Sequence, residues 1–213
     1  MTHTKFDTEH WARKEHFEVF KSFGQCTFSM TVELDITTLL QTIKRHEYKF
    51  YPTLIHQIAG VMNQFPEFKM AIKNDELIVW DKVNPSYTIF HEAQETFSSI
   101  WSEYQEEYAD FVREYSADQD KYGQNLAYFP KAEFIENVFY ISAVPWASFT
   151  SFNLNFANID NFFAPLCTVG QFFERDDKTL LPIALQVHHA TSDGFHAARF
   201  FNTLQAAVNR FDG

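Results

Sequence analysis

The sequence predicts an α/β fold, on three observations. Cys26, Phe28, Met30, Val32 and Leu34 alternate with polar neighbours, the period-2 pattern of a half-buried strand. Directly behind them Ile36, Leu39, Leu40 and Ile43 recur at helical spacing, with Asp35 placed to cap the helix. Far downstream, the apolar run Leu180-Leu181-Pro182-Ile183-Ala184-Leu185 reads as a buried strand, and Phe195, Arg199, Phe200, Leu204 and Val208 follow it at helical spacing. Strands and helices that alternate along a chain pack as a sheet covered by helices. With 213 residues and no linker or low-complexity tract, a single domain over 1–213 is expected.

In chain order, Phe6 to Phe23 sets Trp11, Phe17 and Phe20 among Arg13, Lys14, Glu15 and Glu18, and Asp7 or Thr8 is placed to cap a short helix there. Pro52 fits the first turn of the helix that follows the Asp35-capped one, with Leu54, Ile55, Ile58, Val61, Met62 and Phe65 on one side. Met70 to Trp80 is two apolar runs around a polar turn, a hairpin. Tyr87 to Phe90 is a further strand. Trp101 to Tyr115 is an acidic amphipathic helix at the surface, and no histidine interleaves its carboxylates to suggest a metal site. Ser116 to Pro130 reads as polar and irregular.

Composition narrows the function. A net charge of −11 and the lack of any basic run or glycine-rich phosphate loop argue against nucleic acid and anionic membranes as partners. The segment Met1 to Glu9 lacks the apolar core of a signal peptide, and no run approaches the ~20 apolar residues of a membrane span. Cys26 and Cys167 share no short motif, so neither a disulfide framework nor a zinc site is suggested. A cytoplasmic protein is expected. Its 25 phenylalanines can build a large core or an aromatic-walled cavity.

The chemistry-bearing stretch is Gln186-Val187-His188-His189-Ala190-Thr191-Ser192-Asp193-Gly194-Phe195-His196, where the last apolar strand ends. Gly194 gives freedom to turn and Asp193 is a natural helix cap. Histidine near its unperturbed pKa of ~6.5 suits a general base at neutral pH. A metal site made of His188, His189 and His196 is disfavoured, because adjacent strand residues point to opposite faces. Taken alone, His188 is a packed strand residue, His196 a helix residue and Arg13 a solvated charge.

The pattern His-His-x-x-x-Asp-Gly after an apolar strand resembles the motif of the chloramphenicol acetyltransferases and related CoA-dependent acyltransferases. Other blocks resemble the first family in one register: Thr4 to Asp7 with Trp11 to Phe17, Tyr48 to Pro52, Ile141 to Trp146, Phe149 to Asn155, and Phe163 to Pro165. The resemblance implies a mixed central sheet flanked by helices. It implies transfer of acetyl from acetyl-CoA to the primary hydroxyl of chloramphenicol in a ternary complex, giving antibiotic resistance, with no permanently bound cofactor and no metal. An acyltransferase of the same fold with another small acceptor is the alternative. A dihydrolipoyl acyltransferase is disfavoured because no lipoyl domain or linker precedes the motif. A left-handed β-helix acetyltransferase is excluded by the missing hexapeptide repeats.

By the same resemblance His189 is the base and Ser142 the oxyanion donor, while Asp193 is structural and pairs with Arg13. Phe28, Phe152, Leu154 and Thr168 line the acceptor pocket, with Phe20 and Leu166 near it. Trp146 and Tyr51 lie towards CoA. A homotrimer with active sites at subunit interfaces is implied too. The sequence departs from the family at Ser192, where many members carry Cys, and at Phe20, a Tyr in some relatives.

Overall fold

Lys178–His188 is the longest strand, and every residue in it after Lys178 is buried. A strand covered on both faces has to be apolar almost throughout, which is why this stretch lacks the alternation of the strand at Thr27–Asp35. The computed structural model describes residues 1–155 and 161–213. In order, they form β1 (His3–Lys5), α1 (Lys14–Ser22), β2 (Thr27–Asp35), α2 (Thr37–His46), α3 (Phe50–Gln64), β3 (Met70–Lys73), β4 (Glu76–Trp80), β5 (Asn84–His91), β6 (Thr96–Trp101), α4 (Tyr108–Tyr122), β7 (Val138–Ala143), β8 (Leu166–Val169), β9 (Phe173–Arg175), β10 (Lys178–His188) and α5 (Gly194–Arg210).

The main sheet has seven strands in the order β2-β10-β8-β7-β5-β6, with β9 also paired to β10. It is mixed: β5–β7 and β7–β8 are parallel, whereas β10 is antiparallel to β2, β8 and β9. Tyr87, Phe139, Ile141, Cys167, Val169, Leu181, Ile183, Leu185 and Val187 meet Leu39, Leu54, Ile58, Phe111, Phe200 and Leu204 in one core. Thus α2 to α5 cover one face. Side chains alternate along a strand, so Ser142 and Thr168, next to Ile141 and Cys167, face away from those helices.

Pro182 sits inside β10 without breaking it. It lies between the stretch paired to β9, which ends at Leu180, and the stretch paired to β8, which begins at Ile183. Its carbonyl still accepts the Gly170 N–H at 2.9 Å, and the missing donor falls where no ladder bond is needed.

Three readings need correction and a fourth, the hairpin, is borne out and extended. The first helix starts at Lys14, because Asp7 Oδ1 accepts the N–H groups of Glu9 and His10 and closes a turn ahead of the helix. The acidic helix runs from Tyr108 to Tyr122, not from Trp101. It is set by burial of Phe111 and Tyr115, and Trp101 instead ends β6, a strand the periodicity did not reveal. The hairpin at Met70 to Trp80 does form, with Asn74 and Asp75 at positive φ, but it joins β1 in a separate three-stranded sheet, order β1-β4-β3. Asp35 acts one residue earlier than a true cap: Ile36 is the N-cap, and Asp35 Oδ1 accepts the Thr37 N–H at 3.1 Å.

Candidate active site

Beyond β10 the chain turns through His189 to Asp193 and enters α5. His188 is buried, with Nε2 donating to the Gly24 carbonyl at 2.7 Å and Nδ1 accepting the Ala190 N–H at 3.1 Å. Both nitrogens are used by the neutral tautomer. Burial lowers its pKa, the Gly24 carbonyl opposes this, and the His189 imidazole adds to it.

His189 is held differently. Its ring stacks on Phe20 of α1, with centroids 3.8 Å apart and planes 6° from parallel. The Phe28 ring of β2 flanks it at 5.3 Å. Its backbone N–H donates to the Cys26 carbonyl at 2.7 Å, and its carbonyl accepts from Arg13 Nη2 at 3.2 Å. Nδ1 is buried and makes no hydrogen bond among the described residues. Two aromatic walls and two backbone anchors therefore fix this imidazole without engaging either ring nitrogen in a hydrogen bond among the described residues.

Arg13 and Asp193 form an ion pair through Arg13 Nη1 and Asp193 Oδ2. The other oxygen, Asp193 Oδ1, accepts the Phe195 N–H at 2.9 Å and caps α5. Burial pushes the Asp193 carboxyl up. The hydrogen bond and charge of His196, the Arg13 charge and the Phe195 N–H outweigh that and hold it below the usual carboxylate range. The Arg13–Asp193 pairing expected from the sequence is thus present, and the same guanidinium reaches the His189 carbonyl.

Sequence reasoning passed over the residue that completes this cap. His196 Nδ1 lies 2.8 Å from Asp193 Oδ1, and its Nε2 lies 3.4 Å from Glu67 Oε1. The spacing of an N-cap Asp and a side chain at the third helical position was legible; Glu67, in the 3-10 turn Pro66–Phe68, carries no local signal. Gln186 was missed as well. It is a buried polar residue in β10 that grips the 144–155 segment, since its Oε1 accepts the Leu154 N–H at 2.8 Å and its Nε2 donates to the Leu154 carbonyl at 2.7 Å.

The remaining candidates fall in three places. Phe20 and Phe28 lie on His189. Ser142 and Thr168 are register partners across β7 and β8, and Thr168 pairs onward with Ala184 of β10. Leu166 begins β8, and Phe152 packs on Phe149 with rings 5.5 Å apart. Ala184 lies five residues before His189, so at ~3.4 Å per residue Ser142 stands roughly 17 Å along the sheet and two strands across from the imidazole. Within one chain the two are not brought together. Trp146 and Tyr51 line a third place, a cavity of about 480 Å³ shared with Phe50, Phe90, Ala143, Gly170 and Phe172.

Comparison with known proteins defines an acyltransferase. The family model for chloramphenicol acetyltransferase matches residues 1–205. A chloramphenicol acetyltransferase of Proteus mirabilis is 59% identical over 199 residues, covering 93% of this chain and 91% of the relative. One from Escherichia coli is 55% identical over 211 residues, covering 99% and 96%. A solved chloramphenicol acetyltransferase structure superposes with a TM-score of 0.88 at 23% identity, covering 97% of this chain and 100% of that one. The chain belongs to the chloramphenicol acetyltransferase family.

Proposed function

We propose that this chain, as a single domain over 1–213, acetylates the primary hydroxyl of chloramphenicol with acetyl-CoA and so confers resistance in the cytoplasm. His189 takes the hydroxyl proton, the alkoxide attacks the thioester carbonyl, and a tetrahedral oxyanion forms. Ser142 donates to that oxyanion. Collapse expels the CoA thiolate, and His189 returns the proton to its sulfur. The transfer is direct, with no acyl-enzyme step; Cys167 in particular is fully buried, and burial pushes its thiol pKa up, the opposite of an activated nucleophile. Alignment of two substrates about one base can supply ~7–11 kcal/mol of the barrier reduction, so rigidity of that base matters.

The observation that carries the reading is the His189 imidazole, clamped by Phe20 and Phe28 and anchored through both backbone groups, with neither nitrogen committed to another side chain among the described residues. The aromatic-walled cavity beside Trp146 and Tyr51 is suited to CoA, and the apolar surroundings of Phe28, Phe152, Leu154, Leu166 and Thr168 to a neutral aromatic acceptor. The separation of Ser142 from His189 in one chain supports a homotrimer in which His189 of one subunit faces Ser142 of the next. None of the helices in the described residues is long and apolar enough to cross a membrane.

The test is CoA release from acetyl-CoA with and without chloramphenicol, for the wild type and His189→Ala. Chloramphenicol-dependent release that falls at least ~10²-fold in the variant is expected. A wild type silent with chloramphenicol overturns the acceptor and leaves another small alcohol in its place. Activity surviving the substitution overturns the base.

A further inference from the structure

One group of charged side chains near the base is unused by this mechanism. Glu67 Oε2 accepts from Arg199 Nη2 at 3.0 Å, and the Arg199 guanidinium lies over the Phe65 ring at 4.2 Å. The Glu67 and His196 side chains are 14% and 9% exposed. A continuous line of contacts therefore runs from the 3-10 turn after α3 to the base: Arg199 to Glu67, Glu67 to His196, His196 to Asp193, Asp193 to Arg13, and Arg13 to the carbonyl of His189.

We propose that His196, bridged between Asp193 and Glu67, is a positioning residue that sets the base His189 through Asp193 and Arg13. Arg13 uses one guanidinium nitrogen on Asp193 and the other on the His189 carbonyl, so a displaced carboxylate displaces the backbone that carries the imidazole. Asp193 has only two oxygens. One is taken by Arg13, and the other is shared between the Phe195 N–H and His196. The Asp193 N–H also donates to His196 Nδ1 at 3.2 Å, so the His196 ring stands against both the backbone and the carboxylate of Asp193 and helps orient the latter, and Glu67 lies at the far end of the ring.

A helix cap alone does not require this arrangement. Gln or Glu at the third helical position closes a capping box without a partner on another element. Here the residue is an imidazole, long enough and with a second nitrogen to reach a carboxylate contributed from 129 residues upstream. Burial pushes the Glu67 carboxyl up, but its hydrogen bond to His196 and the neighbouring positive charges bring it below the usual range, so it stays an anion in that contact at neutral pH.

The proposal rests on His189 as the base, and Glu67→Gln, His196→Gln and the double variant test it beside His189→Ala. Each is assayed for kcat and for KM of both substrates, and each is melted thermally. Gln at 196 can keep the cap and Gln at 67 touches neither cap nor base. The expected result is a kcat lowered about tenfold or more in each single variant, since base misplacement of ~1 Å can cost ~10²-fold. KM stays within about twofold, and the double variant is no slower than the worse single one, as members of one network behave. Wild-type kcat in His196→Gln would reduce His196 to a cap. A Glu67→Gln that loses thermal stability but not kcat would reduce Glu67 to a strut. Either outcome with an inactive His189→Ala sinks only this proposal, whereas an active His189→Ala sinks the base assignment and this proposal together.

Discussion

At the scale of the residue, the Arg13–Asp193 pair ties stability to the site. Asn at 193 keeps a good N-cap side chain, so Asp193→Asn removes the charge and leaves the cap. Breaking a wholly buried pair costs ~3–5 kcal/mol. The Asp193 side chain is 33% exposed, so a loss of about 1.5–3 kcal/mol is expected at pH 7, the range for a hydrogen bond to a charged group. The pH dependence follows from the depressed carboxyl. A group whose folded pKa lies below its unfolded value of ~3.9 stabilises fully above that value and loses its contribution as pH falls through the folded pKa. Thermal melts of wild type and Asp193→Asn should therefore differ at pH 7 and converge as pH falls below the unfolded value and on through the lowered folded one; a gap constant down to acid would assign the loss to packing. This pair was legible in the sequence only through resemblance, because no rule of spacing joins residue 13 to residue 193. His196 was half-legible, by its distance from a cap residue. Glu67 was not legible at all, since only tertiary packing brings its turn under α5.

Among the elements, those with strong local periodicity were found and those defined by partners were not. The alternation of β2 and the apolar stripe of α2 follow from one core-facing side each, whereas α3 is buried without a break from Pro52 to Ala59 and its stripe is only the most apolar part of it. Strand β9, with three residues, and β8, with four, are too short for any period to register. Strand β6 and α4 were displaced because Trp101 and Tyr115 fit one helical stripe in sequence, yet the chain breaks between them at Ser102 to Glu107. Where β8 ends, Gly170 shows how tightly the elements meet. An added Cβ there would stand 2.8 Å from a Phe149 ring carbon and 2.8 Å from a Pro182 ring carbon. Gly170→Ala must push the 144–155 segment off β10, and overpacking of this kind costs ~1–3 kcal/mol. Because Gly170 also lines the cavity with Tyr51 and Trp146, the variant should show a lowered thermal midpoint and a raised KM for acetyl-CoA, with a smaller change in KM for chloramphenicol. Equal effects on both substrates would detach that cavity from CoA.

On the scale of the whole molecule, the proposed roles bring His189 and Ser142 to one reacting carbonyl, whereas within one chain they stand roughly 17 Å apart along the sheet and two strands across it. Ser142 lies on the face that α2 to α5 leave uncovered, and His189 lies past the end of β10 against α1. A cyclic, heterologous contact solves this, because it presents one edge of each subunit to a different surface of the next. In the proposed trimer each site holds His189 from one chain and Ser142 from its neighbour. The consequence can be measured with two inactive proteins. His189→Ala and Ser142→Ala, each expected to be down at least ~10²-fold, are unfolded together in equal amounts and refolded into mixed assemblies. A site is whole when its histidine comes from a Ser142→Ala chain and its serine from a His189→Ala chain, so random mixing restores about a quarter of the sites in such a ring. Activity near a quarter of wild type, absent when either variant is refolded alone, is the expected outcome. If each chain carried its own complete site, every site in the mixture would lack one of the two groups, and the refolded mixture would stay as inactive as its parts.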